Sequence, residues 1–155
     1  MCIEQIVEIS KGLLTPVIAG VATYIAWQQW KTNRQKLELD LYERRLRIYE
    51  EVQKILRIIA RNTKASLNDL LEFRTSVSEA DFLFGPEITE YIDEIYTHSC
   101  NLGRWSDEYR DITQVQPEGY DHNKVVAEKH KEFTWLVAQF EPAKEKFQKY
   151  LRLSK

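Results

Sequence analysis

The rhythm of apolar and polar positions changes once along this chain, near residue 31. Before that point, Gly12 to Trp30 carries no charge between Lys11 and Lys31 and is apolar on every side. After it, apolar residues recur at helical spacing. Leu41, Ile48, Val52, Ile55 and Ile59 are separated by seven, four, three and four residues, which places all five on one narrow helical stripe. A break follows at Asn62-Thr63-Lys64. Ser66 then caps a short helix burying Leu67, Leu70, Leu71 and Phe73, and Ser78 to Asp81 reads as a second capping arrangement, after which Phe82, Leu83 and Phe84 would plug one end of the core. Gly85-Pro86 starts a helix whose buried stripe is Ile88, Ile92, Ile95, Ser99 and Leu102. Residues 112–123, with Pro117 and Gly119, read as the longest loop. A last helix from about Asn123 carries Val126, Phe133, Val137, Phe140, Phe147 and Leu151 on one face, kinked or restarted at Pro142.

The uncharged first run decides the topology. As a helix, Gly12 to Trp30 would be roughly 28 Å long at about 1.5 Å per residue, close to the hydrocarbon thickness of a bilayer. Trp27 and Trp30 stand where an aromatic interface belt would lie, and Lys31 and Arg34 follow without an intervening acid. The pattern therefore predicts an all-α protein with a single N-terminal transmembrane helix that continues into a cytoplasmic bundle of about four helices. Residues 1–11 would be extracytoplasmic, 12–30 would span the cell inner membrane, and 31–155 would form the bundle. Two other readings fit the same run: a buried core helix, and a cleaved signal peptide. Ala19, Ala22, Thr23 and Ala26 make small-xxx-small spacings that favour close helix approach and hence a homo-oligomer.

Charge sharpens the picture of the second part. Residues 31–64 hold ten cations against five anions, 65–121 three against thirteen, and 122–155 eight against four. Either the basic ends bind anionic head groups, or basic helices pack beside acidic ones within the bundle. Arg45 stands out because its angular position puts a cation on the apolar stripe beside Leu41 and Ile48. It calls for a partner, and the acidic segment downstream is the expected source. Asp40, Arg44 and Arg45 are thus a candidate binding or ion-pair motif.

Gln29-Trp30-Lys31-Thr32-Asn33-Arg34 followed by Leu39-Asp40-Leu41-Tyr42-Glu43-Arg44-Arg45-Leu46-Arg47-Ile48-Tyr49-Glu50 resembles a family of small, uncharacterised bacterial membrane-anchored helical proteins. Phe82-Leu83-Phe84-Gly85-Pro86-Glu87-Ile88 leading into Tyr91-Ile92, and Phe147-Gln148-Lys149-Tyr150-Leu151, match it as well. The resemblance implies the same topology and brings no chemistry.

Catalytic signatures do not emerge from the sequence. It has no phosphate-cradling glycine loop, no nucleophile elbow and no Cys or His pair at metal-ligand spacing. His98 and Cys100, two residues apart on a helix, point to different faces. No cofactor, metal or enzymatic activity is expected. The loop offers Gln114, Gln116, Tyr120 and His122 as candidate ligand contacts. Nucleotide or nucleic-acid binding through Arg44, Arg47, Arg57 and Arg61 is disfavoured because acids interleave those cations. The expected function is a membrane-tethered, non-enzymatic interaction or sensing module whose partners are the lipid bilayer, a second copy or an unidentified protein. The alternative is an oligomeric membrane effector that perturbs the bilayer on a signal received through its bundle.

Overall fold

The computed structural model describes residues 3–111 and 113–152, with side chains from Pro16 onward. The described residues hold α1 (Ile3–Asn62), α2 (Leu67–Ser76), α3 (Ala80–Leu83), α4 (Pro86–Glu108), α5 (His122–Val137) and α6 (Phe140–Gln148), with no strand among them. The chain divides into two compact units, Met1–Asp40 and Leu41–Lys155. The second is a bundle of about four helices: the C-terminal part of α1, α2, α4, and α5 with α6, to which α3 adds a single turn.

The bundle core follows from the stripe on α1. Ile48, Val52, Ile55 and Ile59 are all buried, joined by Leu56, while Leu41 at the unit's edge is only half-buried. Against them pack Leu70 and Phe73 of α2, Leu136 of α5, Ala143 and Phe147 of α6, and Ile88, Tyr91, Ile92, Ile95 and Leu102 of α4. Pro86 sits in the first turn of α4, where its missing amide costs nothing. Tyr91 fixes the joint between α5 and α6, its hydroxyl donating to the Gln139 amide oxygen at 3.2 Å. Burial pushes the Tyr91 phenol up, so the hydroxyl keeps its proton and stays a donor.

Several expected burials fall elsewhere. Leu67 and Leu71 are exposed, so α2 buries only Leu70 and Phe73. Phe82 is 88% exposed while Leu83 and Phe84 pack on the core. Ser78 caps nothing, since Glu79 holds the N-cap position of α3 without a side-chain bond. The stripe on α5 runs one residue earlier than its large apolar side chains suggest. Val125, Glu132 and Leu136 are buried, whereas Val126 and Val137 are exposed. Pro142 lies in the first turn of α6, and the helix restarts there.

The first unit consists of α1 up to Asp40, and its described apolar side chains lie open. Val17, Ile18, Val21, Tyr24, Ile25, Trp27 and Trp30 are each about half or more exposed. Among the described residues no helix is long and apolar enough to cross a membrane. Tyr24, Gln28 and Gln29 dilute the expected span at 12–30, and the side chains of residues 12–15 lie outside those described. Residues 1–11, including Cys2, are likewise without described side chains. The transmembrane expectation therefore does not follow from the described part of α1 alone.

Two local features close α1 and open α2. Thr63 takes a left-handed backbone, φ 62°, which costs a β-branched residue about 1–2 kcal/mol. Ser66 and Asp69 form a reciprocal capping box, the Ser66 Oγ accepting from the Asp69 amide at 3.2 Å and the Asp69 carboxylate accepting from the Ser66 amide at 2.8 Å. The Ser66 hydroxyl also donates to the Asp69 carboxylate at 2.6 Å, and this bond first, then the one from the Ser66 amide, holds the Asp69 carboxyl below its usual range. Ser66→Ala is expected to lower stability by about 1 kcal/mol, read as a lower urea midpoint at unchanged m-value.

Candidate functional site

Arg45 is where the bundle's distant segments meet. A guanidinium on an apolar stripe must find acceptors, and this one finds backbone rather than a carboxylate. Its Nε donates to the Leu83 carbonyl at 3.0 Å and its Nη1 to the Tyr150 carbonyl at 3.3 Å. Leu83 is the last residue of α3, and Tyr150 follows the end of α6. Both carbonyls belong to helix ends that lack intrahelical donors, so the cation caps two termini together. The rings of Phe84 and Tyr150 lie 6.0 and 5.6 Å from the guanidinium carbon, within cation-π range. The expected acidic partner is thus replaced by carbonyl dipoles and π faces, sufficient for a cation that is only half-buried.

The same residues build a second layer. The Tyr150 hydroxyl accepts from the Gly85 amide at 3.3 Å and donates to the Glu87 carboxylate. Phe84 and Phe147 stack edge-on at 5.2 Å between centroids. A Cβ on Gly85 would come within 2.8 Å of the Tyr150 hydroxyl and 2.5 Å of the Glu87 carboxylate, so a side chain here would displace those two side-chain ends and disturb their hydrogen bond. The stretches around Arg45, Gly85 and Tyr150 therefore converge on one cluster.

Of the candidate motif Asp40, Arg44 and Arg45, the two arginines reach different partners. Arg44 pairs with Glu79 at 3.7 Å, whereas Arg45 turns to the carbonyls. Other cations of the basic segment also meet acids of neighbouring segments: Lys54 of α1 with Glu72 at 2.6 Å, and Lys64, just past α1, with Asp107 at 3.0 Å. Three cations of residues 31–64 thus pair with acids of residues 65–121. In the first unit, Lys31 sits over the Trp27 ring and Arg34 over the Trp30 ring, each at 5.8 Å. Arg34 also pairs with Glu38 at 3.4 Å. The four expected interface anchors are therefore two stacked pairs.

One polar pair has no clear signal in the sequence. Glu132 is 6% exposed on α5, and His98 of α4 donates to its carboxylate while stacking on Trp135 at 3.7 Å between ring centroids. The imidazole supplies the partner a buried carboxylate requires. Periodicity could have found Glu132, which lies seven residues after Val125 and four before Leu136, but only by accepting an acid on a core stripe.

The loop residues are used locally. Tyr120 takes the Arg110 amide on its hydroxyl at 3.0 Å, Gln114 accepts from the Asp111 amide at 3.2 Å, and His122 lies against Tyr109 and Tyr120. Beside this loop, Thr63, Tyr109, Val126, Lys129, His130 and Phe133 line a cleft of about 310 Å³. Among the described residues, no group of three His, Cys, Asp or Glu side chains could hold a metal ion. Cys100 is a free, half-buried thiol. No family model, curated protein or solved structure matches the chain.

Two measurements probe the Arg45 cluster. Arg45→Met is expected to cost about 2 kcal/mol, because two carbonyls lose a charged donor. Arg45→Lys is expected to recover only part of that, since an ammonium lacks the fork that reaches both carbonyls; urea titration of both variants tests this. The Tyr150 hydrogen bond holds the Glu87 carboxyl below its ordinary value of 4.5. A carboxyl depressed on folding stabilises fully above its unfolded value and loses that contribution as pH falls through the lower folded one. Glu87→Gln is therefore expected to be less stable than the parent near neutrality, with the gap closing below pH 4.5 in urea midpoints measured against pH.

Proposed function

We propose that the chain is a membrane-tethered, non-enzymatic interaction module, held at the cell inner membrane by the helix over residues 12–30, with its bundle on the cytoplasmic side. The observation that carries this reading is the run of open apolar side chains from Val17 to Trp30, which the bundle's own core leaves uncovered. Exposed apolar surface on that scale marks contact with lipid or with another chain.

Three features favour lipid. The run carries no charge. Two of its polar side chains are satisfied within the helix, Thr23 donating to the Ala19 carbonyl at 2.8 Å and Gln28 to the Tyr24 hydroxyl at 2.9 Å. Such internal bonds lower the cost of placing them where water is absent. The Trp27-Lys31 and Trp30-Arg34 stacks then put an amphipathic ring and a cation together, as a membrane interface requires. With Gly12 to Thr15 included, the helix would be roughly 28 Å long.

Fractionation of the expressed full chain tests the proposal. The protein is expected to stay with membranes through a carbonate wash and to leave with detergent, and Val21→Glu is expected to shift it toward the soluble fraction, since a charge at mid-span costs about 3 kcal/mol. Release of the parent protein by carbonate would overturn the tether.

A further inference from the structure

We propose that the cleft between the end of α1, the end of α4 and the first turns of α5 binds a small aromatic carboxylate. This assignment concerns the bundle alone and stands independently of the tether. At about 310 Å³ the cleft lies at the small end of ligand pockets, and its walls divide by chemistry. Tyr109, Val126 and Phe133 supply aromatic and aliphatic surface suited to a flat apolar body. Thr63, Lys129 and His130 supply the polar rim, and no acid is among the lining residues.

The rim carries charge suited to an anion. The Lys129 ammonium lies over the Tyr109 ring, 4.7 Å from its centroid, so it is held at the aromatic wall. Among the described residues, no carboxylate forms an ion pair with it, in contrast to Lys54 and Lys64 of the same bundle. One permanent cation against an apolar wall matches one anionic group on an aromatic body. His130 contributes a second polar group, its Nε2 lying 3.4 Å from the Thr134 hydroxyl.

Thr63 adds an independent pointer. It is the one non-glycine residue in the left-handed region among the described residues, and it lines this cleft. Its hydroxyl donates to the Asn62 carbonyl at 2.6 Å. Glycine or asparagine would end α1 with less strain. A strained β-branched residue at a cavity wall is the pattern expected where the side chain serves the cavity.

The test uses the purified full chain in mild detergent, with 2-naphthoate and uncharged 2-naphthamide as probes followed by amide chemical-shift mapping. The expected result is saturable 2-naphthoate binding, with shifts centred on Thr63, Tyr109 and Phe133, and weaker 2-naphthamide binding at the same residues. Lys129→Met is expected to weaken 2-naphthoate about tenfold or more, as loss of a charged contact does, and to leave 2-naphthamide unchanged. Val126→Trp, which fills the cleft, is expected to remove both. Thr63→Gly is expected to raise the melting temperature while weakening both probes, a split that a purely structural Thr63 would not give. Absence of saturable shifts at the cleft at millimolar probe overturns the proposal. So does equal binding of the two probes with no response to Lys129→Met, and Lys129→Gln gives the same reading if Lys129→Met fails to fold.

Discussion

Helix α1 runs for 60 residues, and among its described side chains the apolar stripe of the later part is buried while the apolar residues of the earlier part stand open. From Ile48 to Ile59 the helix is the spine of a bundle, with every stripe residue buried against α2, α4, α5 and α6. From Val17 to Trp30 the same helix is apolar with no such cover. A helix derives most of its stability from burying a face rather than from propensity. The later part meets that need within the bundle, and the change of rhythm near residue 31 separates it from the part whose apolar side chains stand open.

Arg45 lies close to where bundle cover begins. A carboxylate partner would have made a partly desolvated ion pair, whose net contribution is small once desolvation is counted. Two carbonyls at helix ends give the cation charge-assisted hydrogen bonds and at the same time satisfy acceptors that would otherwise need water. The arrangement also fixes chain topology, since it joins residues 38 and 105 positions apart. His98 and Glu132 illustrate the other solution. There the acid is buried on a core stripe, and the imidazole that serves it comes from the neighbouring helix.

Much of the fold was legible because it depends on periodicity. The stripes of α1 and α4, the first-turn position of Pro86 and the Ser66 cap can all be read from spacing and residue type. The errors share a cause. Val126, Val137, Leu67, Leu71 and Phe82 are large and apolar, and residue type alone assigned them to the core, whereas the burial pattern is set by which face meets a neighbour. On α5 that face includes Glu132, so a hydrophobicity criterion shifts the stripe by one position. The partners of Arg45 were hidden for a different reason: backbone carbonyls have no sequence signature, so a cation on an apolar stripe announces a need without naming what meets it. The cleft was equally invisible, because Thr63 reads as part of a break and takes its conformation only from the end of α1.

The cluster around Arg45, Gly85 and Tyr150 bears on what this part of the chain does. Arg45, Gly85 and Tyr150 are tied by bonds that close the bundle: a cation on two carbonyls, an amide on a phenol, a phenol on a carboxylate. Each of these polar groups is engaged by another. A cluster with its donors and acceptors occupied in this way has the chemistry of a structural joint. Arg45 and its partners thus serve the fold, whereas the open apolar side chains before residue 31 and the cleft at Thr63 take no part in that cluster. Along α1, Leu41 and Thr63 are roughly 33 Å apart at about 1.5 Å per residue, so within the bundle the cleft lies at the far end of α1 from the residue where bundle cover starts.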